Sequence, residues 1–137
     1  MAAATYLLDT NIVSDLIRNP QGPVRGHIAS AGVDHVCTSA IVACEIRFGV
    51  RKRGSPRLAR QAEAVLGALD VLPLTADSSD AYARVRLALE KAGMPIGPND
   101  LLIAAHTLSL GMTLVTANVA EFRRVPKLAV VNWLAPT

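Results

Sequence analysis

A three-layer α/β/α fold, with helices on both faces of a central, mostly parallel sheet of about five strands, follows from three observations. Short apolar runs recur at 4–8, 35–38, 71–74, 113–116 and 129–133, each the length of a buried strand. Longer stretches of helical periodicity separate them. The junctions fall on Gly, Pro, Asn and Ser, and no repeat, low-complexity tract or linker breaks the alternation. One domain over residues 1–137 is expected.

Each element has its own signal. The first strand, residues 4–8, runs into Asp9-Thr10-Asn11, which favour caps and turns, and a helix over 10–18 stops before Asn19-Pro20. After the loop 19–23 comes a helix over 24–31 with Gly32 as its stop, then the second strand. Ser39 caps a longer helix to Arg53, and Gly54-Ser55-Pro56 breaks it and opens the next, to Leu69. The third strand leads to a helix capped by Asp77, Ser78 or Ser79 and running to Lys91. Met94 to Pro98 forms a rigid loop into a helix over 99–110 that stops at Gly111. The fourth strand, a helical turn at 118–124 and the last strand complete the order.

Apolar residues make up 51% of the chain and charged ones 18%, below the usual quarter, which excludes a disordered chain and points to apolar surface for self-association or a partner. The formal charge of +3 is mildly basic and compatible with RNA or an acidic peptide. Cys37 and Cys44 form no CxxC, and His27, His35 and His106 lack zinc-ligand spacing, so buried free thiols in a reducing compartment are expected. No signal peptide is evident, and polar residues interrupt the apolar stretch 101–117, so a cytoplasmic location follows.

The chemistry resides in acids brought together from separate elements. Asp9 ends the first strand, and Thr116 and Asn118 stand at the end of the fourth, at the rim where open α/β sheets bind ligands. Asp100 is the acid in the first turn of a helix that is apolar nearly all round. Glu45 falls inside an apolar arc with Ile41, Val42, Phe48 and Gly49, away from Arg47 and Arg51. Taken singly, Asp9 and Asp100 read as caps, Asn118 as a turn residue, and Glu121, beside Arg123 and Arg124, as a surface acid. Jointly, carboxylates forced into one pocket repel, and a hard divalent cation such as Mg²⁺ resolves that conflict. Such an ion polarises a phosphoryl oxygen and activates water for in-line attack, the logic of many nucleases. No G-x-S-x-G, P-loop or G-x-G-x-x-G motif supports a serine nucleophile or a nucleotide cofactor.

Basic residues cluster at Arg47, Arg51, Lys52, Arg53, Arg57 and Arg60, with Arg123, Arg124 and Lys127 farther on. They form a solvated face or a phosphate track for RNA, with Arg47, Arg51 and Lys52 as candidate contacts. At 4% aromatics, a base-stacking platform is not expected. His106, among Ala and Leu, reads as a structural histidine, and Trp133 as a core or dimer anchor.

Four motifs in order carry a resemblance: Leu7-Leu8-Asp9-Thr10-Asn11-Ile12-Val13-Ser14-Asp15, Ser39-x-Ile41-x-x-x-Glu45-Ile46-x-x-Gly49, Pro98-Asn99-Asp100-Leu101-Leu102-Ile103-Ala104-Ala105-His106, and Leu114-Val115-Thr116-Ala117-Asn118-x-x-Glu121-Phe122. Over nearly its whole length the chain resembles PIN-domain ribonucleases, and among them the VapC toxins of type II toxin–antitoxin pairs. The resemblance implies that Asp9, Glu45 and Asp100 bind Mg²⁺ (or Mn²⁺) and activate water, with Thr116 supporting Asp9. It also implies a homodimer, an RNA substrate and an antitoxin whose tail covers the acidic pocket. Where many PIN domains carry a fourth acid this chain has Asn118, a candidate catalytic position that leaves Glu121 to supply the charge. Two other readings remain at this point. An aspartyl-phosphate phosphohydrolase also ends its first strand in Asp but needs an acid where Asn11 stands. A catalytically inactive PIN-like module binding RNA or protein is the other.

Overall fold

The computed structural model describes residues 5–136. Five strands form one sheet, β1 (Tyr6–Leu8), β2 (Val36–Ser39), β3 (Asp70–Leu72), β4 (Thr113–Val115) and β5 (Val130–Val131), in the order β3-β2-β1-β4-β5. Every pairing is parallel. The helices are α1 (Thr10–Arg18), α2 (Pro23–Ala31), α3 (Ala40–Arg53), α4 (Pro56–Ala68), α5 (Ser78–Lys91), α6 (Pro98–Ser109) and α7 (Val119–Phe122).

The register sets the site. Leu8 lies between Thr38 of β2 and Val115 of β4, so Asp9, Ser39 and Thr116 emerge together at the carboxyl rim. The chain winds outward from β1 through β2 to β3 on one side, and through β4 to β5 on the other. The crevice between β1 and β4 is therefore the topological switch point of the sheet, the usual ligand position in such folds. Leu7, Leu8, Cys37, Leu114 and Val115 are wholly buried, as strands covered on both faces must be.

Local chemistry accounts for the helix ends. Ser39 Oγ accepts from the Ile41 amide at 3.0 Å and caps α3, and Ser55 Oγ accepts from Leu58 at 3.2 Å with Pro56 just inside α4. Gly111, at φ 67°, turns the chain from α6 into β4, where a side chain would be strained.

Several expectations need adjustment. Ala4, assigned to the first strand, lies outside the described residues, and a 3-10 turn at Val33–His35 displaces the start of β2. The third strand is Asp70–Leu72, since Pro73 lacks the amide to extend it. The last strand contracts to Val130–Val131, and Asp77 makes no side-chain cap of α5. Cys37 is buried, its thiol pushed up to about 11 by burial and then by the Asp70 charge, but Cys44 is exposed. The apolar arc expected around Glu45 is also incomplete. Phe48 is 68% exposed, and α3 buries only Val42, Ala43 and Ile46. Trp133 is buried, packed against Tyr6 and stacked on His27 at ring distances of 5.2 and 5.1 Å.

Candidate active site

Asp9 sits at the switch point, 3% exposed. Its Oδ2 accepts from the Thr116 hydroxyl at 2.7 Å and from the Asn11 amide at 3.3 Å, and that amide also reaches Thr116 Oγ1 at 3.3 Å. Asn11 Oδ1 in turn accepts from the Ala117 amide at 2.9 Å, while the Asn118 amide donates to Thr116 Oγ1 at 3.0 Å. Asp9 stands at the N-cap of α1 but makes no side-chain cap bond there, because its carboxylate faces β4. Burial pushes the Asp9 carboxyl above its ordinary range. The Thr116 hydroxyl and the Thr10 amide oppose that shift, and the charges of Glu45 and Glu121 add to it.

Asp100 enters from the first turn of α6. The loop before it is held by α7 and the residues that follow. Arg124 Nη1 donates to the Pro95 carbonyl at 3.1 Å, and the Gly97 amide donates to Glu121 Oε1 at 3.3 Å. Glu121 Oε2 accepts from the Asn118 side-chain amide. Burial first, then the charge of Glu121 and a hydrogen bond to it, push the Asp100 carboxyl up to about 7, with smaller contributions from Asp9 and Glu45. Glu121 is thus half-buried and part of the cluster rather than a solvated acid. Glu45 reaches the same crevice from α3, where its Oε1 accepts from the Thr10 hydroxyl and its Oε2 from the Asn99 amide at 3.3 Å.

Four carboxyls from four segments therefore share one field. Among the described residues no ion pair reaches any of them. Their donors are all oxygen, and burial first, with the mutual charges of the cluster adding to it, pushes Asp9 and Asp100 upward. That donor set and that uncompensated charge fit a hard divalent cation. Among the described residues no three His, Cys, Asp or Glu side chains are placed to hold an ion together as they stand. Glu45 is turned instead to Thr10 and Asn99, and Asp100 to Glu121.

The other candidate residues lie apart from this pole. Arg47 donates twice to Glu63, at 3.0 and 2.9 Å, so much of its charge is answered within the α3–α4 pair. Lys52 lies 6.0 Å from the Phe48 ring centroid, and Arg51 lines a cleft between α3 and α4 with Arg47 and Glu63. A second groove, of about 390 Å³, begins at Thr10 and Glu45 and runs past Ile17, Ile46 and Leu58 to Arg53. Sequence reasoning did not single out Thr10, Asn11 and Asn99 as polar supports of the site. Their only signal was the run of cap-forming residues beside each acid. The second acid that aspartyl-phosphate chemistry needs is absent, because Asn11 occupies that position with its amide committed to Asp9 and Thr116.

Known proteins resemble this chain in sequence and fold. The family model described as PIN domain matches residues 6–128. Ribonuclease VapC2 of Rickettsia felis is 35% identical over 130 residues, covering 93% of this chain and 97% of that protein. The tRNA(fMet)-specific endonuclease VapC of Salmonella typhimurium is 30% identical over 129 residues, covering 93% and 97%. Among solved structures, the chain is similar to one in VapBC2 from Rickettsia felis bound to a DNA fragment from its promoter. The TM-score is 0.86 and the identity 32%, with 94% of this chain and 98% of that one covered. The chain belongs to the PIN-domain family and, within it, to the VapC ribonucleases.

Proposed function

We propose that this protein is the toxin of a type II toxin–antitoxin pair, a metal-dependent endoribonuclease neutralised by a cognate antitoxin. The observation that carries the reading is the meeting of Asp9, Glu45, Asp100 and Glu121 at the β1/β4 crevice, with Asp100 raised to about 7 by burial first and then by its acidic neighbours. Relatives named as ribonucleases and as a tRNA endonuclease, and neighbours solved as VapBC complexes, support the same activity and the same class of partner.

In this reading Asp9, Glu45 and Asp100 hold Mg²⁺, with Mn²⁺ as a substitute, and Glu121 supplies the charge that Asn118 does not. When bound, the cation polarises a phosphoryl oxygen and makes water a competent nucleophile near neutral pH. Thr116 and Asn11 fix the Asp9 carboxylate at Oδ2, so that ligand is oriented before the ion arrives. Asp100, raised to about 7, is partly protonated near neutral pH and would give up that proton to a cation, which makes binding pH-linked. Water attacks phosphorus, the bond to the 3′ oxygen breaks, and the products carry a 5′-phosphate and a 3′-hydroxyl.

Residues 1–137 act as one PIN domain and as a homodimer, and exposed Leu87 and Met94 offer apolar surface for self-association. The antitoxin tail lies along the groove from Glu45 to Arg53, whose apolar floor suits a peptide, and a basic side chain of that tail answers the carboxylates. The enzyme works in the cytoplasm on cellular RNA. No helix among the described residues is long and apolar enough to cross a membrane.

The test is cleavage of purified RNA, initiator tRNA first, with Mg²⁺ and with a chelator. Metal-dependent cutting that leaves 5′-phosphate ends is the expected result. RNA binding without cutting at any metal concentration would instead favour an inactive binding module.

A further inference from the structure

A buried polar link joins the two helices that deliver Glu45 and Asp100. His106 of α6 is 1% exposed, and its Nδ1 lies 2.9 Å from the Oγ of Ser39, the residue that ends β2 and caps α3. The Ser39 hydroxyl already accepts from the Ile41 amide, so its own proton is free to go to Nδ1. The ring also bonds the Pro73 carbonyl, which can only accept, so the other ring nitrogen donates there, while burial outweighs that contact and holds the ring below the ordinary histidine range. One side chain thus ties together the β2–α3 junction, α6 and the segment after β3, with each of its polar atoms engaged.

The second bond between these helices, Asn99 to Glu45, lies at the crevice. Ser39 pairs with His106 and Glu45 with Asn99, so the helices run in opposite senses along their contact. The two bonds stand about 9–10 Å apart at 1.5 Å per residue. The crevice bond is exposed, whereas the His106 bond is dry. The dry one sets the register, since a buried polar group left unpaired costs more than an exposed one.

We propose that His106 is a positioning residue for the carboxylate site: through Ser39 it fixes α6 against α3, and so the separation of Asp100 from Glu45. This rests on the metal-dependent reading given above. It predicts that removing the link weakens ion binding in a chain that is still folded.

The test is Mn²⁺ binding to the full, RNA-free chain, followed by electron paramagnetic resonance, with circular dichroism establishing that each variant is folded at the assay temperature. His106→Phe keeps a ring but loses both bonds and is expected to weaken Mn²⁺ binding about tenfold, the usual scale for loss of a group that orients a ligand. His106→Gln, whose amide can again reach Ser39, is expected to recover most of it. Ser39→Ala should weaken binding to a similar degree, and the double variant no further. Unchanged Mn²⁺ affinity in folded His106→Phe overturns the proposal, and Ser39→Ala decides if the ring variant does not fold. If the unsubstituted chain binds Mn²⁺ and cuts RNA while all variants match it, only the positioning role fails. A chain that neither binds Mn²⁺ nor cuts RNA removes the ribonuclease reading, and this proposal with it.

Discussion

α6 and α3 each bring one carboxylate to the same crevice, yet they do so from opposite environments. α6 is sunk in the core, with Leu101, Ile103, Ala104, Ala105, His106 and Thr107 all buried, and its acid sits in the first turn beside another acid. α3 is a surface helix that buries three residues and leaves Phe48 in solvent, and its acid is satisfied by two neutral donors, Thr10 and Asn99. The buried helix therefore carries the electrostatic strain of the site, and the surface helix carries its adjustable part. Asp100 is pushed far up, whereas both Glu45 oxygens accept from neutral donors.

The sharpest break of that contrast is Asp100→Asn, which should lower RNA cleavage by at least about a hundredfold. The same change should stabilise the metal-free protein at neutral pH. An Asp raised from 3.8 to about 7 in the fold favours folding at low pH, and that advantage is lost as pH rises from about 4 to 7. Melting curves should place the Asn variant about 3–5 °C above the unsubstituted chain at pH 8 and level with it near pH 4. A lower melting temperature at pH 8 would contradict the strain assigned to α6. Next in size, Ile103→Ala opens a cavity beneath α6 and should cost about 2–4 kcal/mol in denaturant unfolding.

On the other helix the effects should be smaller. Glu45→Gln keeps both donors near the side chain and should reduce cleavage about tenfold, less than Asp100→Asn, when both are assayed at saturating metal. Equal losses would mean that the two acids are held alike. Smallest of all, Phe48→Ala should shift unfolding by less than about 0.5 kcal/mol, because the ring is already in water. Urea titration would expose a larger change and, with it, a packing role for Phe48.

The same contrast explains what could be read from the residues alone. Asp9 and Thr116 stood out because each follows an apolar run too short for anything but a buried strand, and a polar group there must lie at a rim. Asp100 stood out because α6 has almost no polar face on which a solvated acid belongs. Glu45 falls in an arc that includes Phe48, and that arc is only partly covered, with Val42 and Ile41 at the core and Phe48 in solvent, so the helix-wheel argument holds only in part even though α3 brings Glu45 to the crevice. Spacing along a helix fixes which residues share a face but not whether anything covers it. Thr10, Asn11 and Asn99 escaped notice because their partners lie far off in sequence. Asn11 meets Thr116, and Asn99 meets Glu45, only after the sheet has closed. The Arg47–Glu63 pair escaped for the same reason, since its two members belong to different helices.

The hydrogen bond from Thr116 to Asp9 joins residues 107 apart in sequence, and β1 gains its second neighbour only when β4 arrives. A growing polypeptide displays Asp9 long before it possesses Thr116 or Glu121, so the site has no existence on a half-made chain. Closing so long a loop is slow compared with forming local helices. For an enzyme that destroys RNA, that order of events is a built-in delay: the ribosome making it must pass Glu121 before the product can cut a message.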